Sequence, residues 1–91
     1  MNKYTIELLT IKGCKACSIL RGLLDDALLR TSKEIEIVEK DMSSVSIKKL
    51  KANNITDFPT TRFIKDGNEV FRMVGSNPVA VIVRYIDVYF K

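Results

Sequence analysis

The sequence contains no histidine and no tryptophan, and it has only two cysteines and two prolines. Histidine is the most frequent general base and zinc ligand in proteins, so histidine-dependent catalysis is excluded. A structural zinc ion needs four ligands, and two cysteines supply half of them unless two copies of the chain share the ion. We therefore expect no structural zinc site within one chain and assign no metal ligands.

Long apolar runs are also missing. No run approaches the roughly 20 residues that cross a bilayer, and Glu7 interrupts the segment where a signal peptide would be hydrophobic. A length of 91 residues suits one domain, so a single domain is expected over residues 1–91. We expect a cytoplasmic monomer that does not bind membranes. In a reducing compartment, a lone cysteine pair is more often catalytic or metal-binding than structural.

The charge of the chain does not indicate a particular partner. Lysine and arginine exceed aspartate and glutamate by 15 to 11, which gives a formal net charge of +4. A basic protein raises the question of nucleic-acid binding. Here the basic residues are spread along the chain, and Lys48, Lys49 and Lys51 fall late in a predicted helix, where cations suit the helix dipole. No nucleic-acid partner is therefore expected.

The first half of the chain predicts a β-α-β unit. Residues 4–11 are mostly apolar and predict a buried strand, and apolar spacing predicts a helix from residue 16 to about residue 30. Residues 34–41 alternate, with Ile35 and Ile37 on one face, and predict a second strand. Because the connectors are short, the two strands should be parallel with a right-handed crossover.

A second, weaker helix is expected to follow. Ser43 or Ser44 can cap a helix that runs to about residue 53. Its apolar contacts are expected to be Val45, Ile47 and Leu50.

The last third of the chain predicts a hairpin and a closing helix. Strands are expected over residues 60–65 and 69–74, joined by an Asp66-Gly67 turn. Asn77 is expected to cap a final helix that starts with Pro78. Its β-branched residues would suit a strand. The helix is favoured by the capping signal and by apolar positions at helical spacing: Val79, Ile82, Val83, Ile86 and Phe90.

The two cysteines lie in Gly13-Cys14-Lys15-Ala16-Cys17, where the first strand gives way to the first helix. Unpaired N–H groups and the helix dipole stabilise a thiolate at a helix start, which lowers the pKa of the thiol. Cys14 is nearer the loop and is expected to be the exposed nucleophile. Cys17 continues the apolar stripe of the helix and is expected to be buried. Lys12 and Lys15 add positive charge, although both also suit plain solvated surface.

This order of elements, with Gly13-Cys14-Lys15-Ala16-Cys17 after the first strand and Phe58-Pro59-Thr60 before the third, resembles the thioredoxin–glutaredoxin family over about residues 5–90. The resemblance implies an α/β, thioredoxin-like fold in the order β-α-β-α-β-β-α, with a four-stranded mixed sheet flanked by helices. It also implies a cis bond before Pro59 and a redox-active Cys14–Cys17 disulfide. The short chain is similar to a glutaredoxin-sized member.

The resemblance implies a thiol–disulfide oxidoreductase. Cys14 would attack a substrate disulfide and Cys17 would resolve the mixed disulfide. The partners would be disulfide-containing proteins or small molecules and a reductase that recharges the pair, without a further cofactor. The substrate-binding residues would be Phe58, Pro59, Thr60, Gly75, Lys15 and Lys12. Core packing is the alternative for Phe58, and a positive-φ turn is the alternative for Gly75.

Several positions depart from the family pattern. Lys15-Ala16 replaces the Gly-Pro or Pro-Tyr pairs that are common between the cysteines. Leu8 stands six residues before Cys14, where thioredoxins carry a buried aspartate. The neighbouring Glu7 should face the other way. Glutaredoxins hold glutathione through two elements that this chain matches only in part, which disfavours glutathione as a partner.

Two other functions stay open on the residues alone. A strand, a cysteine loop and a helix are also found in small copper chaperones, and two thiolates suit Cu(I). Those domains follow the order βαββαβ and end in a strand, whereas a closing helix is expected here. They also usually carry a methionine two residues before the first cysteine, where this chain has Lys12. The third class is a thioredoxin-fold adaptor without catalysis, which the intact cysteine pair disfavours.

Overall fold

The structure is a computed structural model that describes residues 3–91. It confirms the predicted order β-α-β-α-β-β-α. Most predicted boundaries lie within two residues of the observed ones; the start of the second helix is the main exception. The elements are β1 Tyr4–Thr10, α1 Lys15–Leu28, β2 Ile35–Asp41, α2 Ile47–Ala52, β3 Thr60–Lys65, β4 Asn68–Val74 and α3 Val79–Tyr89.

The four strands form one mixed sheet in the order β2-β1-β3-β4. β1 runs parallel to β2, because α1 carries the chain back between them. β3 runs antiparallel to both β1 and β4, and a tight turn at Asp66 and Gly67 joins β3 to β4. The predicted mixed sheet is thereby confirmed.

The two faces of the sheet carry different side chains. Alternation along β1 sends Ile6 and Leu8 to the face covered by α1 and α3, where both are fully buried. Glu7 and Leu9 point to the opposite face, where residues of α2 lie nearby. The main core lies under α1 and α3 and contains Ile6, Leu8, Leu20, Leu24, Ala27, Phe63, Met73, Ile82, Ile86 and Phe90.

The expected cap of α2 is wrong, and so is one of its three expected apolar contacts, Ile47. The other two, Val45 and Leu50, are half-buried. The helix begins at Ile47, and the hydroxyl of Ser46 accepts a hydrogen bond from the Lys49 N–H across 3.2 Å. Ser43 is engaged elsewhere, since its hydroxyl accepts the backbone N–H of Lys12 across 2.9 Å. Ile47 is 72% exposed and makes no core contact. A helix of 6 residues has too few turns to reveal its start by periodicity.

The closing helix forms despite its β-branched residues. It begins at Val79, with Pro78 just before it, and no side chain caps its N-terminus, so Asn77 is not the cap. Ile82 and Ile86 are fully buried within the main core. This burial outweighs the modest preference of such residues for strands.

Candidate active site

Cys14 and Cys17 lie at the start of α1, as the strand-to-helix corner predicts. Gly13 turns the chain with φ +75°, and Cys14 then caps the helix. The two residues form a disulfide, with their Cα atoms 5.3 Å apart. Cys14 is half-buried whereas Cys17 is only 4% exposed, so the two residues differ in accessibility as expected.

The predicted proline and glycine lie in loops at the same end of the sheet as the cysteines. Thr60 pairs with Leu9 near the end of β1, and Val74 pairs with Thr60 at the end of β4. The Phe58–Pro59 bond is cis, as the resemblance implied. The strand register therefore brings three loops to one end of the sheet: the cysteine loop after β1, the loop before β3 and the loop after β4.

A backbone hydrogen bond joins the loop before β3 to the loop after β4. The N–H of Gly75 donates to the carbonyl oxygen of Pro59 across 2.8 Å. Gly75 has φ +77°, a left-handed conformation that glycine adopts without strain. Gly75 thus serves the turn, which was the simpler of its two sequence interpretations.

The side chains of the proline segment are largely enclosed. Phe58 is half-buried and Pro59 is buried. Thr60 is 1% exposed, and its hydroxyl donates to the Asp57 carbonyl across 2.6 Å. The Thr60 side chain therefore holds the loop rather than presenting a group to solvent.

The two predicted lysines lie in different places. Lys15 is exposed and lines a cavity beside both cysteines. Lys12 lines a separate cavity with Asp41, Ser43 and Ser44. Hydrogen bonds from Ser43 hold the pKa of Asp41 below its ordinary value, and the charge of Lys12 adds a smaller effect. The structure brings Lys15 to the disulfide and places Lys12 beside Asp41.

The cavity beside the disulfide contains a carboxylate that sequence analysis missed. Its volume is about 470 Å³, and its lining residues are Thr10, Ile11, Gly13, Cys14, Lys15, Cys17, Ser18 and Glu39. Glu39 comes from β2, and its Oε1 lies 3.6 Å from Nη1 of Arg21 on α1. A signal was present in the sequence, since Glu39 shares the face of Ile35 and Ile37 at the end of an alternating strand.

The β1 carboxylate lies on the other face of the sheet. Leu8 is fully buried beneath α1, whereas Glu7 is 6% exposed and faces away. Its oxygens accept hydrogen bonds from Arg62 across 2.6 Å and Lys40 across 2.9 Å. Burial alone would raise the pKa of Glu7, but the hydrogen bonds and charges of Lys40 and Arg62 outweigh it and lower that pKa.

The sheet order, the helices on both faces and the cysteine pair at the N-terminus of α1 define a thioredoxin-like domain with a pair that forms a disulfide. The thioredoxin family model matches residues 7–88, and the chain belongs to the thioredoxin family. Membership and the cysteine pair together support thiol–disulfide oxidoreductase activity in general.

Solved thioredoxin structures share this fold at low sequence identity. Thioredoxin-2 of a malaria parasite is 16% identical with a TM-score of 0.77, over 96% of this chain and 84% of that one. A mutant thioredoxin from Halobacterium salinarum NRC-1 is 18% identical with a TM-score of 0.77, and the match covers 99% of this chain and 77% of that one. Mitochondrial thioredoxin 3 from Saccharomyces cerevisiae, in its oxidised form, is 22% identical with a TM-score of 0.73. The match covers 96% of this chain and 80% of that one. No curated protein sequence matches the chain.

The fold also bears on the copper-chaperone alternative. The described elements follow the order β-α-β-α-β-β-α, with a helix after the second strand, which differs from the βαββαβ order of those domains. Among residues 3–91, no three His, Cys, Asp or Glu side chains come together in a way that could hold a metal ion.

Within the described residues 3–91, no helix has the length and apolar character needed to cross a membrane.

Proposed function

We propose that this protein is a thiol–disulfide oxidoreductase that reduces or exchanges disulfides of proteins or small molecules. The observation that carries the proposal is the asymmetry of the cysteine pair. Cys14 caps α1 and is partly accessible, whereas Cys17 is buried behind it within bonding distance. This is the arrangement that a two-step exchange requires, because one sulfur must meet the substrate and the other must reach the first.

In the reduced protein, the Cys14 thiolate attacks one sulfur of the substrate disulfide. A Cys14–substrate disulfide forms, and the other substrate sulfur leaves as a thiolate. Cys17 then loses its proton and attacks Sγ of Cys14, which releases the second substrate thiolate. The substrate gains two electrons, the cysteine pair loses two, and the Cys14–Cys17 disulfide results.

The neighbouring loops supply a surface for the substrate. Ile11 and Val74 are exposed apolar side chains at the same end of the sheet as Phe58 and Pro59. An extended peptide can pair with free backbone groups at Phe58 as an added strand does, while Ile11 and Val74 contact its side chains. We further propose that the protein acts as a monomer in a reducing compartment such as the cytoplasm, without another cofactor. A separate reductase, or glutathione, would recharge the pair.

The test is insulin reduction by dithiothreitol, followed by turbidity. Wild type should accelerate the reaction, Cys14→Ser should abolish the acceleration, and Cys17→Ser should accumulate a mixed disulfide visible by mass spectrometry. Ser18→Ala, beside the same cavity, should retain activity and serves as the matched control.

Equal rates for wild type and Cys14→Ser would sink the proposal. Tight binding of one Cu(I) without reductase activity would instead favour the metal-binding alternative, and stable capture of a partner with neither property would favour an adaptor.

A further inference from the structure

The buried cysteine must lose a proton before it can resolve the mixed disulfide. Cys17 is only 4% exposed, and burial in apolar surroundings disfavours a thiolate. The thiol therefore needs a proton acceptor close to its Sγ. The proposed function leaves that acceptor unassigned.

The cavity beside the disulfide restricts the choice. Its polar side chains, within the described residues 3–91, are those of Thr10, Lys15, Ser18 and Glu39 together with the cysteines. The Thr10 hydroxyl donates to the Lys40 carbonyl across 3.4 Å, and an ammonium group has no lone pair to accept a proton. A carboxylate is the usual proton acceptor of this set, and here Glu39 supplies it.

Register and helix spacing place Glu39 on the side of α1 that carries Cys17, and both residues line the same cavity. Glu39 pairs with Leu8 in the parallel ladder, so both side chains face α1. Arg21 follows Cys17 by four positions on α1, and residues four apart share a face of a helix. Oε1 of Glu39 lies 3.6 Å from Nη1 of that same Arg21. Strand and helix thus converge on the side of α1 that carries the buried thiol.

We propose that Glu39 is the proton acceptor for Cys17 during resolution, an inference that rests on the proposed exchange chemistry. The Cys17 thiol gives its proton to the Glu39 carboxylate, directly or through one solvent molecule, as Cys17 Sγ attacks Cys14 Sγ. The Cys14–Cys17 bond forms, the bond from Cys14 to the substrate breaks, and the substrate sulfur leaves with the electron pair. Glu39 then returns the proton to solvent.

The charges around Glu39 suit this role. On α1 it faces Arg21, which also binds Asp25 across 3.2 Å, and Lys15 lines the same cavity. β1 presents the uncharged Leu8 and Thr10 to this face. The buried carboxylate of β1, Glu7, lies on the opposite face and is bound to Lys40 and Arg62. Arg21 holds the Glu39 carboxylate at the helix without removing it from the cavity.

The experiment separates attack from resolution in one trace. Reduced protein is mixed with dithiobis(nitrobenzoate) in a stopped-flow instrument, and the released thionitrobenzoate is followed by absorbance. The first equivalent reports attack by Cys14 and the second reports resolution by Cys17. The variants are Glu39→Gln and Glu39→Asp, with Glu36→Gln on the opposite face of β2 and Asp25→Asn at the other partner of Arg21 as controls.

Glu39→Gln should leave the first phase unchanged and slow the second about tenfold at pH 7, less than the roughly 10²–10⁴-fold that is typical of a general base, because Glu39 is half exposed. The difference should shrink toward pH 9, where hydroxide deprotonates the thiol unaided. Glu39→Asp should recover part of the rate, and both controls should match wild type.

Equal second phases and equal pH profiles in wild type and Glu39→Gln would refute the role of Glu39 while leaving the proposed function intact. Equal slowing of both phases would also refute it, because the effect would not be specific to Cys17. A wild type that shows no first phase would overturn the proposed function itself.

Discussion

The backbone N–H of Cys17 donates a hydrogen bond to Sγ of Cys14 across 3.1 Å. Cys14 is thereby the N-cap of α1, a position usually held by an oxygen-bearing side chain. In the reduced protein the same donor and the helix dipole favour negative charge on Cys14 over Cys17. The buried cysteine thus contributes, through its backbone, to the reactivity of the exposed one.

We expect Cys14 to be alkylated at least about tenfold faster than Cys17 when the reduced protein meets iodoacetamide at pH 7, because accessibility and thiolate stabilisation act together. Peptide mass spectrometry at timed quenches measures both rates. Lys15→Gln should slow the reaction of Cys14 about twofold, since exposed charges interact weakly. Lys12→Gln, beside Asp41, is the matched control and should change it less; the reverse order would contradict the placement of the two lysines.

The Glu7 carboxylate should make the fold sensitive to acid. Its pKa is lowered in the folded state, so Glu7 stabilises the protein fully above the ordinary glutamate pKa of about 4.3, and this contribution is lost as the pH falls through the lowered value. Urea midpoints measured from pH 7 down to pH 2.5 should therefore decrease. Glu7→Gln should cost about 1–3 kcal/mol at pH 7 and reduce the slope of the midpoint against pH.

A matched control is Glu34→Gln, an exposed carboxylate just before β2. It should leave both the midpoint at pH 7 and the slope unchanged. Some acid sensitivity should persist in Glu7→Gln, because hydrogen bonds from Arg72 and Arg62 also lower the pKa of Glu69. An unaltered slope in Glu7→Gln would contradict the assignment.

Two glycines should respond to alanine in opposite directions. At neither position would an added Cβ meet another atom within 4 Å, so steric contact does not distinguish them. Gly75 has φ +77°, and Gly75→Ala should lower the free energy of unfolding by about 1–2 kcal/mol. Gly22 is exposed within α1, and Gly22→Ala should raise it by about 0.5–1 kcal/mol. Urea unfolding measures both, and a change of the same sign in both variants would contradict this conformational account.

Local sequence patterns predicted most of the fold. Strand and helix periodicity predicted the main elements because these bury one face, as the full burial of Leu20, Leu24, Ile82 and Ile86 illustrates. Helix α2 has no buried residue and gave a weaker signal. The exception was the start of α2, where Ser43, Ser44 and Ser46 offer similar capping chemistry within a few residues. Only the structure shows that Ser46 is the cap, through the hydrogen bond from the Lys49 N–H, while the Ser43 hydroxyl accepts the Lys12 backbone N–H instead.

The sequence by itself determined the cysteine spacing, and local periodicity predicted a helix that begins close to Cys14 and turns Cys17 toward the core. Tertiary structure decided which distant groups surround them. The parallel register of β1 with β2 brings Glu39 beside Leu8, and Nη1 of Arg21 on α1 lies 3.6 Å from the Glu39 carboxylate. Alternation along a strand assigns a side chain to a face, but only strand pairing and helix packing specify its neighbours on that face.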